Sequence, residues 1–125
     1  MPTAEAVMTT QEVANRLSEL FKDFNWNQAH EELFSQDAQS IEPPGSPGLP
    51  TVKGLDKIRE KGEKFNAMVE EFHGGFIGEP IVAGKFIAMT MGLDVTMKGQ
   101  GRVQMDEIAM YKVEDGKVVS EQFFY

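Results

Sequence analysis

The sequence predicts a single α+β domain in which helices cover one face of a curved and mostly antiparallel sheet. In the first half of the chain, apolar residues recur at the spacing of a helix, and from Glu70 onward the period changes to two. The length of 125 residues suits one domain, residues 1–125, that buries a core without cross-links.

Helical patterns occur in three places. The first helix follows a segment, residues 1–8, that we expect to be loosely held, and it starts with a capping box formed by Thr9 and Glu12. The second is the short QAHEELF, with Asn27 as its cap. The third is GLDKIREKGEKFNAM. Gly62 on its apolar stripe suggests a close backbone approach, and the charged stretch KIREKGEK indicates a solvent-exposed face.

Strand patterns fill the second half of the chain. EEFHGGFIGEPIVAG is typical of a strand with glycine-rich bends, and KFIAMTMGLDVTM begins a meander of three antiparallel strands with turns at KGQG and EDGK. Met89, Met91 and Leu93 share the face of the first meander strand that we expect the helices to cover. These methionines are either adaptable core residues, the commoner case, or the wall of an apolar ligand pocket.

The register of the last two strands depends on the EDGK turn. Two sets of alternate side chains are concerned: Met105, Glu107, Ala109 and Tyr111 on one strand, and Val119, Glu121, Phe123 and Tyr125 on the next. A bulged three-residue turn aligns the two sets side by side, whereas a two-residue turn shifts the register by one. The bulged turn is favoured, because both sets can then face the helices.

Composition excludes several classes of function. A net charge of −8, from 12 basic and 20 acidic residues, argues against a nucleic-acid partner. The chain has no cysteine, which excludes disulfides and thiolate chemistry and suits a cytoplasmic protein. No run approaches the roughly 18 apolar residues of a membrane span, so no membrane partner is expected. The histidines and acids form no local metal motif, so neither a metal nor a cofactor is expected.

One acid stands out in the stretch SIEPPGSPGLP, which holds four of the six prolines. Glu42 precedes Pro43 here, after a short strand. Because the prolines restrict the backbone after that strand, Glu42 is the last residue whose side-chain direction the strand can set. An inward Glu42 would be the first candidate for acid/base chemistry, and an outward Glu42 would leave only a rigid loop.

The order of elements resembles the nuclear transport factor 2 (NTF2)-like superfamily, in particular its SnoaL-like domain proteins, which are related to polyketide cyclases and ketosteroid isomerase. The resemblance is carried by LFSQDAQSIEPPG, VKGLDKIREK and MDEIAMYKVEDGKVVSEQFFY, in this order. It implies a conical α+β barrel of the cystatin-like type, with three helices over the sheet, one apolar pocket and a homodimer.

The resemblance also implies a place for the proton-shuttling acid. In the isomerases and cyclases an Asp-Pro or Glu-Pro pair ends the first short strand, and Glu42 with Pro43 occupies that place. The steroid isomerases also use a tyrosine on the first helix and a protonated aspartate on a late strand. Here the first helix offers Phe21 and no tyrosine, and Ala109 stands near the late-strand place, with Glu107 two residues away. An ordinary steroid-isomerase site is therefore not expected.

The predicted site combines acids with an apolar wall. The candidates for catalysis are Glu42, His73, Glu107 and Glu121, and those for the ligand pocket are Trp26, Met89, Met91, Leu93, Tyr111, Phe123 and Tyr125. Carboxyl groups in an apolar pocket resist ionisation, so one can stay neutral as a donor while another acts as a base. The alternatives are structural: Glu42 bonded to a loop amide, His73 satisfied within the fold, and Glu107 and Glu121 exposed on the convex face.

These features favour a protein that binds a hydrophobic, carbonyl-bearing small molecule. If it is an enzyme, it is a cofactor-free isomerase, cyclase or dehydratase that uses carboxylates as acid and base. A non-enzymatic ligand carrier or a dimeric association module is the alternative. Four apolar residues predict a homodimer through the convex sheet face: Ile108, Met110, Val118 and Phe124.

Overall fold

A computed structural model describes residues 7–46 and 49–125 and confirms the α+β class. The helices are α1 (Thr10–Lys22), α2 (Trp26–Leu33) and α3 (Leu55–Met68). The strands are β1 (Phe34–Ile41), β2 (Val52–Lys53), β3 (Val69–Ile77), β4 (Ile81–Ala83), β5 (Phe86–Met97), β6 (Gly101–Glu114) and β7 (Lys117–Phe124). No helix within these described ranges is both long enough and apolar enough to cross a membrane.

The start of the chain is anchored by the first helix cap. Thr9 and Glu12 form the predicted capping box: each side chain accepts a hydrogen bond from the backbone N–H of the other, at 3.1 and 2.8 Å. Of the segment expected to be loose, residues 1–6 lie outside the described residues, whereas Val7 and Met8 lie against Gly116.

Two details of the helices differ from the sequence prediction. Asn25, not Asn27, caps α2 by accepting a hydrogen bond from the backbone N–H of Gln28, so the helix begins at Trp26. Gly62 makes no close approach, because a methyl group at this position would meet nothing within 4 Å. The side of α3 that meets the sheet is instead marked by the buried Lys61.

All strands belong to one mixed sheet in the order β2-β1-β7-β6-β5-β3, with β4 beside β5. The sheet is curved but unclosed, since β2 and β3 remain as its edges. Among the described strands, only the β1–β7 pair is parallel; it sets Ser40 beside Glu121 and Ile41 beside Gln122. This pairing brings Glu42, which follows β1 directly, next to the last strand of the chain.

The turn between β6 and β7 has two residues, so the predicted three-residue turn is wrong. Glu114 pairs with Lys117 across Asp115 and Gly116, whose φ angles are 49° and 74°. Two successive positive φ values belong to the tight turn whose twist matches that of a hairpin, and an Asp-Gly pair is a common sequence for it.

The predicted side-by-side alignment is nevertheless confirmed, because a bulge inside β7 shifts the register. Val113 pairs with Val118, but Lys112 pairs with Ser120, which leaves Val119 as the extra residue. Beyond the bulge, Glu121 lies opposite Tyr111 and Phe123 opposite Ala109, as the aligned register requires.

The main core lies between the helices and the sheet face that they cover, which we call the inner face. It is formed by alternate residues of the long strands with apolar residues of the helices, among them Val13, Leu17, Phe21, Leu33, Ile58, Ile87, Met89 and Tyr111. Alternation places the intervening side chains on the opposite, outer face.

The outer face exposes part of the apolar set that was predicted to form a dimer contact. Ile108 and Phe124, which pair across β6 and β7, are each 47% exposed, and Met110 is half-buried. Val118 does not belong to this set: it is fully buried in the core, because it precedes the bulge and points inward.

Candidate active site

Glu42 points inward and is held by two partners. It is 8% exposed. Its Oε2 accepts a hydrogen bond from Lys61 Nζ at 2.7 Å, and its Oε1 accepts one from the Tyr125 hydroxyl at 2.7 Å. The backbone N–H of Glu42 donates to Thr51 Oγ1 at 2.9 Å. The loop entrance therefore fixes Glu42 as one half of a buried ion pair.

Lys61 is the partner that sequence reasoning missed. It is 8% exposed, and its Nζ also donates to Ser40 Oγ at 2.7 Å and lies 5.7 Å from the centroid of the Phe123 ring. The expectation that this stretch of α3 faces solvent is wrong for Lys61. The spacing contained a signal, because Lys61 follows the buried Leu55 and Ile58 at intervals of three.

Glu107 and Glu121 lie on the inner face and not on the convex one. Glu121 stands between Ser40 of β1 and Tyr111 of β6, and Glu107 lies opposite Met91 of β5. The charges of Glu42 and Lys61 act on both of these carboxyls, and we call the four side chains the acid cluster.

Burial raises the pKa of both strand carboxyls to about 7. For Glu107 the neighbouring carboxylates of Glu42 and Glu121 raise the pKa further, and Lys61 lowers it. For Glu121 a hydrogen bond with Ser40 and the charge of Lys61 work against burial. Burial, with both neighbouring glutamates, also raises the pKa of Tyr111 well above its usual value.

His73 does not join the acid cluster. Its Nε2 lies 2.7 Å from Thr96 Oγ1, and Thr96 alternates with the buried Val95 on β5, so the contact is on the outer face. The cause is a bulge in β3: Phe72 pairs with Val95 and Gly74 with Asp94, which leaves His73 as the extra residue. His73 therefore contacts the opposite face of the sheet from the acid cluster, which argues against its part in a proton relay there.

The predicted pocket residues divide between core and surface. Met89 and Tyr111 are about 1% exposed and belong to the core, as does Met91. The Trp26 ring packs on Phe21, with a centroid distance of 4.4 Å. Burial therefore favours the core interpretation for Met89 and Tyr111, and a ligand wall at these residues stays a prediction.

A less covered strip of the inner face adjoins the acids. It consists of Leu93, its partner Met105 and the neighbouring Glu107, all partly exposed, whereas Met91 before it and Val95 beyond it are buried. Phe123 and Tyr125 border the strip from β7 and its end, and both are accessible. This strip, rather than the methionine row, is where a ligand could reach the acid cluster.

Two exposed aromatic rings extend the strip, and sequence reasoning missed both. Phe24 and Phe72 pack edge to face at 5.2 Å, and a methyl group on Gly75 would touch both Phe24 and Leu93. Phe24 has a φ of 54°, which few non-glycine residues adopt. No sequence pattern marks these rings, because they meet only when the end of α1 lies on β3.

Two shallow surface depressions lie elsewhere, around the β6–β7 turn. Their lining includes Glu114, Asp115 and Lys117 but no residue of the acid cluster, so neither is the apolar pocket that the resemblance implies. Within residues 7–46 and 49–125, no three acidic or histidine side chains are grouped in a way that could hold a metal ion.

The comparisons with known proteins agree with this architecture. The SnoaL-like domain family matches residues 8–125. A Mesorhizobium loti protein proposed to be a SnoaL-like polyketide cyclase is 34% identical, with a TM-score of 0.88 over 94% of this chain and 100% of that chain. An NTF2-like Burkholderia pseudomallei protein of unknown function is 21% identical, with a TM-score of 0.74 over 94% and 92% of the two chains.

A further structure shows the same fold. A Catenulispora acidiphila protein with a ketosteroid isomerase-like fold, solved in complex with trimethylamine, is 21% identical, with a TM-score of 0.65 over 94% of this chain and 87% of that chain. No curated protein matches the sequence. Because the family match covers nearly the whole described chain, the protein belongs to the SnoaL-like domain family, whose NTF2-like fold is related to polyketide cyclases and ketosteroid isomerase.

Proposed function

We propose that this protein is a cofactor-independent acid/base catalyst that moves a proton next to the carbonyl group of an apolar small molecule. One observation carries the proposal: Glu107 and Glu121 share the inner face beside an ion pair, and both have a pKa of about 7. A group with a pKa near the working pH transfers protons most effectively in both directions.

Exposure assigns the roles within the cluster. Glu107 is only partly buried and borders the accessible Leu93 and Met105, so it is the carboxyl that a ligand can touch. Glu121 is buried on the same face and serves as a second proton-holding group. Glu42, which was the first candidate from sequence, is engaged with Lys61 and Tyr125, and we assign it the task of holding Lys61 in place.

The chemistry suits an isomerisation, a cyclisation or a dehydration. Each begins when a carboxylate removes a proton from the carbon beside a carbonyl, and each ends when a carboxylic acid returns a proton to another atom. The apolar body of the ligand would lie on Leu93, Met105 and Phe24, where exposed apolar surface is available.

Proton exchange tests this function without knowledge of the natural substrate. The wild type is expected to speed the exchange of the carbon-bound protons of 2-tetralone in D2O, followed by proton NMR, with a rate that rises with pH through about 7 as Glu107 ionises. Glu107→Gln should lose most of this acceleration, since a positioned general base contributes about 10²–10⁴-fold.

Glu114→Gln, an exposed change on the same strand, serves as the control and should exchange at the wild-type rate. Exchange no faster than buffer would rule out the acid/base function. Saturable binding of 2-tetralone without exchange would instead support the second candidate, a ligand carrier, which the accessible apolar strip also favours.

We also propose that a second copy of the chain covers the outer face, where Ile108 and Phe124 pair in register and both are exposed. Sedimentation at micromolar concentration is expected to show a dimer for the wild type and a monomer for Ile108→Asp. Val7→Asp, an equal charge change at an exposed site away from this face, should stay dimeric. A monomeric wild type would refute the proposal.

A further inference from the structure

The ammonium of Lys61 has a hydrogen-bonding capacity that the fold does not use. An ammonium carries three N–H groups. Two of them donate to Ser40 Oγ and Glu42 Oε2, each at 2.7 Å. For the third, no polar acceptor is found among residues 7–46 and 49–125, and the centroid of the Phe123 ring lies 5.7 Å from Nζ.

The surroundings of this N–H favour an incoming negative charge. Lys61 is the only cation among the described residues of the acid cluster, and its charge acts on both Glu107 and Glu121. Burial holds the pKa of those two carboxyls at about 7, so near neutral pH they oppose Lys61 with less than their full negative charge, and Glu42 is its direct ion-pair partner. Lys61 is largely buried, and an oxygen that gains negative charge beside a fixed, buried ammonium is strongly stabilised by it.

We propose that Lys61 binds the carbonyl oxygen of the ligand through its third N–H and stabilises the oxyanion that forms there. This rests on the proposed function, to which it adds the electrophilic group. When a carboxylate takes the proton beside the carbonyl, the C–H electron pair forms a C=C bond and the C=O π pair moves onto oxygen. That oxygen carries the charge next to Lys61 until a carboxylic acid returns a proton to carbon.

A matched pair of probes isolates the charge. The anion 2-naphthoate and the neutral 2-naphthamide have the same ring system and differ at the oxygen that Lys61 would meet. Calorimetric titration of the wild type at neutral pH is expected to show about tenfold or more tighter binding of the anion. Equal affinities, or no binding of either compound at millimolar concentration, would overturn the proposal.

Variants of the ion pair sharpen the test. Glu42→Gln should increase the preference for the anion several-fold, because it removes the charge that neutralises Lys61. Combining Glu42→Gln with Lys61→Met should abolish the preference, and Lys64→Met, an exposed change on the same helix, should leave it unchanged. If the double variant still binds the anion more tightly than the amide, the proposal is overturned. If the double variant does not fold, the proposal is overturned when Glu42→Gln prefers the anion no more strongly than the wild type does.

Failure here is distinct from failure of the proposed function. Binding of 2-naphthoate requires no proton transfer. Conversely, the wild type can speed proton exchange in 2-tetralone, and Glu107→Gln can lose this effect, without any preference for anions. Rapid exchange without anion preference would remove Lys61 from the mechanism and leave the carboxylates in it.

Discussion

Lys61→Met is expected to lower the free energy of unfolding by about 3–5 kcal/mol. The change removes one member of an ion pair in which both side chains are less than a tenth exposed, at a distance of 2.7 Å. Glu42 would remain buried beside the Tyr125 hydroxyl but without a cation. An unpaired buried charge destabilises the folded state.

The double variant Glu42→Gln with Lys61→Met should recover most of this loss. Replacing both charges by groups of similar volume leaves no buried charge unpaired, and such replacements are often close to neutral. Urea unfolding of the two single variants and the double variant measures the coupling directly. The exposed Lys64→Met should change stability by no more than about 0.5 kcal/mol. A Lys61→Met variant as stable as Lys64→Met would show that the pair is not buried as described.

The second large effect is a loss of stability as pH rises from 5 to 8, caused by Glu107 and Glu121. Both have a folded-state pKa of about 7, raised from 4.5. Between these two values the folded chain binds more protons than the unfolded chain, so the stability that each group contributes is complete below pH 4.5 and is lost as pH rises through 7. Each carboxyl contributes up to about 3 kcal/mol in this way.

Glutamine variants isolate this dependence from that of other groups. His30 acts in the opposite sense, because burial lowers its pKa from 6.5 to about 4 and stability is gained as pH rises across that interval. We therefore expect Glu121→Gln to differ little from wild type at pH 5 and to be more stable by a few kcal/mol at pH 8. Urea unfolding at several pH values checks this, with the exposed Glu63→Gln as a control that should follow the wild type. If the difference in the free energy of unfolding between Glu121→Gln and the wild type were the same at every pH, it would contradict this prediction.

The fold was largely predictable because its signals are local. The capping box at Thr9, the apolar period of α3 and the alternation in β5 each depend on residues a few positions apart. Their order along the chain was enough to indicate the family, and the family match confirms it.

The site was predictable only in part because its members come from distant segments. Glu42, Glu107 and Glu121 were candidates by type and strand face, and the charges of Glu42 and Glu121 both raise the pKa of Glu107; their joint role in a site stays a prediction. His73 and Val118 were assigned to the wrong face for the same reason. An extra residue at His73 in β3 and one at Val119 in β7 reverse the alternation, and no local pattern revealed either bulge.

The sequence by itself determined the helices and strands, their order and the residue types that the site could use. It could do so because the periodicity of a helix or a strand depends on residues only a few positions apart. Only the tertiary structure decided which of the candidate glutamates forms an ion pair with a lysine and which do not. Glu42 points inward, which is one of the two alternatives that the sequence left open. Lys61 reaches it from α3, which packs against β1, the strand that Glu42 follows. That contact joins residues 19 positions apart. The helical spacing could indicate that Lys61 faces the sheet, but only packing brings it to Glu42.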